Sequence, residues 1–474
     1  MTMPLRCLPT CFALLLAVAV HASPADLSGT WLGTMDAGAM KLRLGMESIT
    51  TPTGDFSVTF ISIDQGGIRI PSVGPRLDEG KLTAPLPMIG GSYQGDLNEA
   101  GDTIEGFWEQ GPAKLALKLE RVPRLPTQNR PQEPKPPFPY DAEEVTFTNP
   151  RGGHTLAGTL TLPPTRGPHP ALVLVTGSGP QDRDETLMGH KPFAVLADAI
   201  TRRGVAVLRF DDRGVGKSTG DFATATSADF AFDALAAVRF LATRDDISTD
   251  RIGLGGHSEG AMVAPMVGAK FPDEVAFLLL LAPPAISGEE VIVGQGLALE
   301  RSMGMPEAEA TAQAEMRRKA IRAAIDSETD DEFNVALAEI VKERVASIED
   351  GDARNEARVA YLQAFPAYRT PWFRYFLDFD PSGPLKKVAC PTLALLGERD
   401  VQVLPEDNLE PLQAALEAAP AIDVQVVTLP GLNHLFQNCK TGLPAEYGTI
   451  EETIAPAALE LITDWVAERA GVSP

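Results

Sequence analysis

The chain has 474 residues, of which 44% are hydrophobic and 22% charged, as in ordinary globular proteins rather than disordered ones. This length exceeds what one hydrophobic core usually serves, so two or more domains are expected. The formal net charge of −23 repels phosphate backbones, which argues against nucleic acid as a partner, and it gives no sign of a basic membrane-binding face.

The first residues carry the pattern of an export signal. Arg6 is the only charged residue before Asp26, and an unbroken apolar run, Phe12 to Val20, ends just before Ala22, where a small residue suits signal-peptidase cleavage. The run is shorter than the roughly 20 residues that a membrane-spanning helix needs, which disfavours a transmembrane anchor. We therefore predict a signal peptide over residues 1–22 and a periplasmic or secreted protein without stable membrane insertion.

Residues 25–121 alternate apolar and polar positions in short runs separated by Gly, Asp and Asn. Met40–Leu44, Phe56–Phe60 and Leu115–Leu119 are examples. A period of two indicates half-buried antiparallel strands, and about eight such runs predict a small all-β domain, either a barrel or a sandwich. The segment contains neither His nor Cys, so we expect a packed accessory domain; shaping the mouth of a neighbouring site or holding a polymer is the alternative.

The stretch from Val122 to Tyr140 marks a domain boundary. It contains seven prolines, which remove backbone donors and favour extended polyproline geometry. We predict a stiff linker over residues 122–141.

From residue 142 to 474, apolar strand-like runs alternate with helix-length segments. The predicted strands are Glu144–Thr148, Thr155–Leu162, Ala171–Val175, Val205–Phe210, Ile252–Gly256, Phe277–Leu281, Thr392–Leu396 and Val424–Leu429. Continuous apolar runs separated by helices predict a mostly parallel sheet buried on both faces, an α/β fold. Right-handed crossovers bring the carboxyl ends of its parallel strands to one edge, where such sheets bind ligands.

One crossover is unusually long. Between Pro284 and Val388 the sequence shows no clear strand, but helical periodicity over Glu307–Ile325 and Glu332–Ile348. We predict a helical cap over about residues 285–387, above the strand ends. Six apolar and aromatic residues close this segment, and they either pack the cap onto the sheet or line an apolar pocket. These residues are Phe365, Tyr368, Trp372, Phe373, Tyr375 and Phe376.

Two cysteines lie in the predicted signal peptide, and Cys390 and Cys439 remain after it. An oxidising compartment would permit them to pair. Their predicted places, at the start of one strand and beyond the end of another, are too distant for the ~5.5–6 Å Cα separation of a disulfide. We leave the pairing open and favour free thiols.

The sequence Gly256-His257-Ser258-Glu259-Gly260 falls between a predicted strand and a predicted helix. A sharp turn at this junction needs small residues on both sides of the serine and exposes its hydroxyl at the sheet edge. The helix N-terminus favours the negative charge that develops there. Ser258 is therefore the predicted nucleophile.

A serine hydroxyl needs a base, which is usually a histidine held by a carboxylate. His434 follows the last strand in a glycine-containing loop at the same edge of the sheet, so it is the predicted base. Asp400 follows the preceding strand and is the predicted acid, with Glu398 as the less favoured rival. His257 should point away from the turn and act as buried support.

A tetrahedral intermediate needs two backbone donors. The amide of Glu259, directly after the nucleophile, and the amide of Ser178, in the glycine-rich loop Thr176–Gly179, are the predicted pair.

A nearby stretch, Gly214 to Ser218, superficially resembles a phosphate-binding loop. The first glycine of that motif is missing because Asp211 occupies its position, so we reject nucleotide binding. Asp212 and Arg213 are predicted to form a structural ion pair.

These motifs together resemble the α/β-hydrolase superfamily. With the N-terminal β-domain, the proline-rich linker and the ending Leu432–Gln437, the chain resembles EstD-type bacterial esterases. The resemblance implies hydrolysis of small-molecule carboxylic esters with short or medium acyl chains, through an acyl-enzyme and without a metal or organic cofactor.

Two other functions remain open. A serine peptidase of the aminopeptidase or dipeptidyl-peptidase type would use the same triad, with Glu289 and Glu290 binding a substrate amine; a solvated helix start is the favoured explanation of these glutamates. A non-catalytic binding protein is the third hypothesis, and the intact Ser–Asp–His set argues against it.

Overall fold

The structure is a computed structural model, and it describes residues 27–36, 41–50, 56–111 and 113–472. The predicted signal peptide lies outside the described residues. The chain divides into two units, one of Met1–Ser62 with Arg69–Leu125 and one of Ile63–Ile68 with Pro126–Pro474.

The first unit is an antiparallel β-structure. Its strands are β1 (Gly29–Asp36), β2 (Lys41–Thr50), β3 (Phe56–Ser62), β4 (Ile68–Pro71), β5 (Arg76–Asp78), β6 (Lys81–Leu86), β7 (Gly91–Leu97), β8 (Thr103–Gln110) and β9 (Ala113–Val122). Across the described residues they form one nine-stranded sheet in the order β4-β3-β2-β1-β9-β8-β7-β6-β5. The predicted all-β class of this segment is confirmed.

Alternation along the strands builds a core on one face of this sheet. In β1, Trp31, Gly33 and Met35 are buried, whereas Thr34 and Asp36, which point to the other face, are exposed. Phe60 of β3 contacts Tyr93 of β7, with ring centroids 5.4 Å apart, although these strands are far apart in the sheet. The sheet therefore coils over and encloses its aromatic core.

The second unit contains an eight-stranded sheet within the described residues. Its strands are β10 (Asp141–Thr148), β11 (Thr155–Leu162), β12 (His169–Val175), β13 (Ala206–Phe210), β14 (Ile247–His257), β15 (Leu278–Leu281), β16 (Thr392–Gly397) and β17 (Val424–Leu429). The order is β10-β11-β13-β12-β14-β15-β16-β17. The first two strands pair antiparallel and the remaining six run parallel to one another.

Helices cover both faces of this sheet, and further helices form the insertion between β15 and β16. In chain order the helices are α1 (Pro192–Arg202), α2 (Ser227–Ala242), α3 (Glu259–Lys270), α4 (Gly288–Ser302), α5 (Glu307–Asp326), α6 (Asp330–Val345), α7 (Gly351–Ala364), α8 (Pro371–Asp378), α9 (Ser382–Leu385), α10 (Pro405–Glu417), α11 (Pro444–Tyr447) and α12 (Pro456–Arg469). Val173 and Leu254 face one hydrophobic cluster, and Leu172 and Leu279 face the other. Because both faces are buried, the strands read as continuous apolar runs.

The long crossover between β15 and β16 is helical, as predicted. Helices α4 to α8 occupy most of it, and α5 and α6 share a small core that includes Met316, Phe333 and Leu337. The aromatic residues predicted to close this segment are divided: Phe365 joins that core, whereas Trp372 and Phe376 pack with Met262 of α3.

The proline-rich segment is tied to the second unit through polar side chains. Arg130 is 8% exposed and donates to the carbonyls of Gly189 (3.1 Å), Gly448 (2.8 Å) and Ile450 (2.6 Å). Gln132 donates to the carbonyl of Ile454 at 2.7 Å. Residues from Pro126 onward therefore form part of the second unit's hydrogen-bonding network.

None of the helices in the described part of the chain combines the length and the apolar character needed to cross a membrane.

Candidate active site

Ser258 lies at the sharp junction of β14 and α3. Its backbone has φ 55° and ψ −115°, a left-handed conformation that non-glycine residues rarely adopt and that costs of order 1–3 kcal/mol. A Cβ on Gly256 would lie 2.2 Å from backbone atoms of Gly260, and a Cβ on Gly260 would lie 2.1 Å from the carbonyl oxygen of Val175. Only glycine fits at these two positions, which explains the local sequence.

His434 and Asp400 are brought together from separate loops. His434 Nδ1 lies 2.7 Å from Asp400 Oδ2, and the two residues are 4% and 2% exposed. The other carboxylate oxygen of Asp400 accepts from the amides of Gln402 at 2.8 Å and Val403 at 3.0 Å. These amides fix the carboxylate, which in turn orients the imidazole.

The loop that carries His434 is held by its neighbours on both sides. The side-chain oxygen of Asn433 accepts from the amides of Leu435 (3.0 Å) and Gln437 (2.9 Å). Glu398, the rival acid from the sequence, accepts from the amide of Gly431 at 2.7 Å. Glu398 therefore supports the loop, while Asp400 contacts the imidazole.

A cavity of about 330 Å³ opens at this edge of the sheet. Its lining includes Ser178, Ser258 and His434, so the predicted nucleophile and base share one enclosed space. Trp372 and Phe376 of the cap contribute to its apolar wall. The volume lies at the small end of the range for ligand pockets, roughly 300–1,000 Å³.

Both predicted oxyanion donors border this cavity. Glu259 is the first residue of α3, where an amide has no acceptor within its own helix. In the glycine-rich loop, the amide of Gly177 donates to Oε1 of Glu185 at 2.7 Å. The next amide, that of Ser178, lies in a residue that lines the cavity.

The side chain of Glu259 is a buried carboxyl between body and cap. Its Oε1 accepts from Ser227 Oγ at 2.6 Å and from Trp372 Nε1 at 2.7 Å. Burial raises the pKa of this carboxyl, and hydrogen bonds from Ser227, Trp372 and Ser178 counteract the rise only in part. From the sequence only the backbone amide of Glu259 was assigned a role, and this side-chain contact was not predicted.

The predicted ion pair between Asp212 and Arg213 is wrong. Asp212 accepts from Thr176 Oγ1 at 2.8 Å and from the amide of Gln181 at 2.9 Å, and thereby holds the glycine-rich loop Thr176–Gly179. Arg213 Nε pairs instead with Asp233 Oδ2 at 2.7 Å. Successive side chains in this tight loop point in different directions, so adjacency in sequence did not produce contact.

His257 and Glu185, at the cavity, form a contact that was not predicted from the sequence. His257 Nδ1 lies 3.0 Å from Glu185 Oε1, and His257 Nε2 lies 2.9 Å from the carbonyl oxygen of His434. Glu185 is 2% exposed and has φ 52°. The sequence alone does not distinguish Glu185 from the other acidic residues after Asp182, because its contact with His257 depends on how the whole loop is placed.

The glutamates considered for amine recognition lie outside the cavity lining. Glu289 is 2% exposed and pairs with Arg318 at 3.2 Å and Arg322 at 2.5 Å. Glu290 accepts from Ser287 Oγ at 3.1 Å. The expectation that both belong to a solvated helix start is wrong for Glu289, which is buried and neutralised by two arginines.

Cys390 and Cys439 are both free thiols. Among the residues that the structure describes, no group of three or more His, Cys, Asp or Glu side chains is placed to hold a metal ion.

The fold and the site geometry agree with the family comparison. The model of the alpha/beta hydrolase family matches residues 172–438, which is more than half of the chain. The protein therefore belongs to the alpha/beta hydrolase family, and the predicted α/β-hydrolase fold with an N-terminal all-β domain is confirmed.

A curated relative is similar over much of the same region. The chain is 29% identical over 315 residues to Esterase EstD of Thermotoga maritima, and the match covers 66% of this chain. The matched part spans 64% of the length of that relative. The predicted resemblance to EstD-type esterases is thus confirmed at the level of sequence similarity.

Solved structures with a similar fold include an esterase of Pyrococcus furiosus (16% identity, TM-score 0.38, covering 65% of this chain and 90% of that chain). Another is a proline iminopeptidase of Mycobacterium smegmatis (19% identity, TM-score 0.42, covering 69% of this chain and 99% of that chain). Both TM-scores lie below 0.5, so these likenesses do not distinguish one activity from another.

Proposed function

We propose that the protein is a carboxylesterase that hydrolyses small esters of short or medium acyl chains through an acyl-enzyme on Ser258. The observation that carries this proposal is the 2.7 Å contact between His434 and Asp400 beside the cavity that Ser258 and His434 share. A base oriented by a carboxylate, next to a serine at a strained turn, is the arrangement required for acyl transfer. The relative named Esterase EstD supports an ester as the substrate.

In the proposed first step, Oγ of Ser258 attacks the ester carbonyl while Nε2 of His434 takes its proton. Asp400 stabilises the imidazolium that forms. The amides of Ser178 and Glu259 donate to the oxyanion of the tetrahedral intermediate. His434 then protonates the leaving alcohol, and the acyl group remains on Ser258.

The second step repeats this chemistry with water. His434 removes a proton from water, which attacks the acyl-enzyme, and the acid leaves as Ser258 regains its proton. The cavity of about 330 Å³ suits a short or medium acyl chain, and its apolar wall from Trp372 and Phe376 suits a hydrocarbon rather than a charged group.

The test is turnover of p-nitrophenyl butyrate by purified protein. Ser258→Ala should lower kcat by about 10⁴-fold or more, and Asp400→Asn by about 10⁴-fold. A fluorophosphonate should label the wild type at Ser258, as read by peptide mass spectrometry. Ser248→Ala, which replaces another serine outside the cavity lining, should behave as wild type. Full activity of the Ser258 variant would refute the proposal.

A peptidase with the same triad is the alternative outcome of a substrate panel. The two glutamates proposed for amine binding are engaged elsewhere, Glu289 by two arginines and Glu290 by Ser287. Esters should therefore be turned over far faster than amino-acid or Xaa-Pro anilides. Faster cleavage of the anilides would replace the esterase proposal with the peptidase.

Export is part of the proposal and rests on residues 1–22 alone. N-terminal sequencing of protein recovered from the cells that produce it should give Ser23 as the first residue. A retained Met1 would contradict cleavage after Ala22.

A further inference from the structure

His257 and Glu185 form a buried polar pair beside the proposed triad and take no part in its proton transfers. His257 is 6% exposed and Glu185 is 2% exposed, and both residues belong to the cavity lining. Glu185 also has φ 52°, in the left-handed region. Strained non-glycine residues of this kind persist where surrounding contacts fix them, often at functional sites.

The hydrogen bonds define the charge state of the imidazole. His257 Nε2 faces the carbonyl oxygen of His434 at 2.9 Å, and because a carbonyl only accepts, this nitrogen must carry a proton. His257 Nδ1 faces Oε1 of Glu185 at 3.0 Å, and the same oxygen already accepts from the amide of Gly177 at 2.7 Å. A carboxylate at this position makes both ring nitrogens donors, which is the imidazolium form.

The groups around His257 favour this form. Burial lowers the pKa of His257, but the charge and hydrogen bond of Glu185 more than offset the effect, with smaller help from the His434 carbonyl and from Asp400, so the pKa is raised above its usual value. The imidazole ring of His434 packs against that of His257, with ring centroids 4.6 Å apart.

We propose that the His257–Glu185 pair is a positioning unit that holds the loop of His434 and the glycine-rich loop Thr176–Gly179 in register. This proposal rests on the proposed function. One end of the pair fixes the backbone of His434, and the other fixes the amide of Gly177, one residue before the proposed donor Ser178.

Substitutions separate the geometric role from the electrostatic one. Glu185→Gln keeps a side-chain oxygen that can accept from Gly177 but removes the negative charge that supports the imidazolium. Glu185→Ala removes both, and His257→Gln removes the ring. We expect kcat/KM for p-nitrophenyl butyrate to fall by about 10²-fold in Glu185→Ala and His257→Gln, mainly through kcat, because the loops lose register.

The division of the effect between kcat and KM gives a readout that a merely structural role would not move. Glu185→Gln, which keeps an acceptor for the amide of Gly177, should retain more of kcat than Glu185→Ala, while KM stays near the wild-type value in both variants. His154→Gln is the matched control, since His154 forms another buried pair, 2.8 Å from Asp233, outside the cavity lining. It should keep the wild-type kcat and KM. An equal fall of kcat in the control, or no fall of kcat in Glu185→Ala and His257→Gln, would overturn the proposal.

Nuclear magnetic resonance of histidine-labelled protein tests the charge state without any activity assay. The His257 signal, assigned by its loss in His257→Gln, should show that the ring loses its proton at higher pH than a histidine in an unfolded peptide does. A ring that loses its proton at the pH of an unfolded peptide, or below it, would refute the ion pair even if Ser258 proves to be the nucleophile. Conversely, an inert Ser258 would refute the esterase and leave this measurement interpretable.

Discussion

Trp372 in the cap donates its Nε1–H to Oε1 of Glu259, the residue that directly follows Ser258, at 2.7 Å. The indole ring also stacks on Phe376, with centroids 5.3 Å apart and an interplanar angle of 16°. Both rings line the cavity. One hydrogen bond therefore fixes the aromatic wall of the cavity relative to the turn that carries the proposed nucleophile.

Shortening this wall should change which acyl chains are accepted. In Trp372→Ala the cavity gains space, so the ratio of kcat/KM for p-nitrophenyl octanoate to that for the butyrate should rise. Each additional buried methylene is worth about 0.8 kcal/mol, or about fourfold. Tyr375→Ala, on the same helix but outside the lining, is the control and should leave the ratio unchanged. An unchanged ratio in Trp372→Ala would show that the wall does not limit chain length.

The buried carboxyl of Glu259 should make stability depend on pH. Because its folded-state pKa is raised above 4.5, its contribution is fully present below that pH and is lost as the pH rises through the folded pKa. Glu259→Gln cannot ionise and keeps an acceptor for Ser227 and Trp372. The free energy of unfolding, measured in urea from pH 4 to pH 9, should therefore decline less in the variant than in the wild type. If the free energy of unfolding varies with pH in the same way in both proteins, the pKa of Glu259 does not differ between the folded and unfolded states.

The glycines at the turn should tolerate no side chain. Gly256→Ala places a Cβ 2.2 Å from backbone atoms that cannot move aside, and we expect a loss of about 3 kcal/mol or more in the free energy of unfolding. Gly351→Ala meets nothing within 4 Å at the start of α7 and should be neutral or stabilise by up to about 1 kcal/mol. Urea denaturation compares the two variants, and similar midpoints would contradict the assigned crowding.

Arg130 should contribute more to the free energy of unfolding than an ordinary surface arginine does. Arg130→Ala leaves the carbonyls of Gly189, Gly448 and Ile450 without this donor, and unsatisfied buried groups cost about 1–3 kcal/mol each. We expect the variant to unfold at a clearly lower urea concentration than the wild type. The exposed Arg166 provides the comparison, and Arg166→Ala should lie within about 0.5 kcal/mol of wild type. A small effect at Arg130 would mean that water replaces its contacts.

The sequence was sufficient for elements whose pattern is local. Val424–Leu429 was predicted with both ends correct, and α5, predicted over Glu307–Ile325, extends one residue further. The next helix begins at Asp330 rather than at Glu332, because Thr329 and Glu332 form a capping box that the periodicity alone did not reveal. A clear hydrophobic periodicity over a long segment makes a helix or strand predictable, whereas the positions of its ends depend on side-chain hydrogen bonds.

The site was predictable only in part, for a related reason. Strand order places the loops of Asp400 and His434 at one edge, and the structure brings these two side chains together. The contacts of Glu185 and Trp372 come from a long loop and from the inserted helices, whose placement no spacing rule specifies. The predicted Asp212–Arg213 pair was wrong because backbone direction within the loop, and not proximity in sequence, decides which side chains meet.

The cap is inserted into the chain between β15 and β16, which are neighbouring parallel strands. Every residue with a role in the proposed reaction lies outside the cap. Ser178, Ser258, Asp400 and His434 all belong to the framework, whereas Trp372 and Phe376 come from the insert. Chemistry and selectivity are thus encoded in separable stretches of one gene. Replacing residues 285–387 as a block offers a route to new substrate ranges with the reaction machinery left intact.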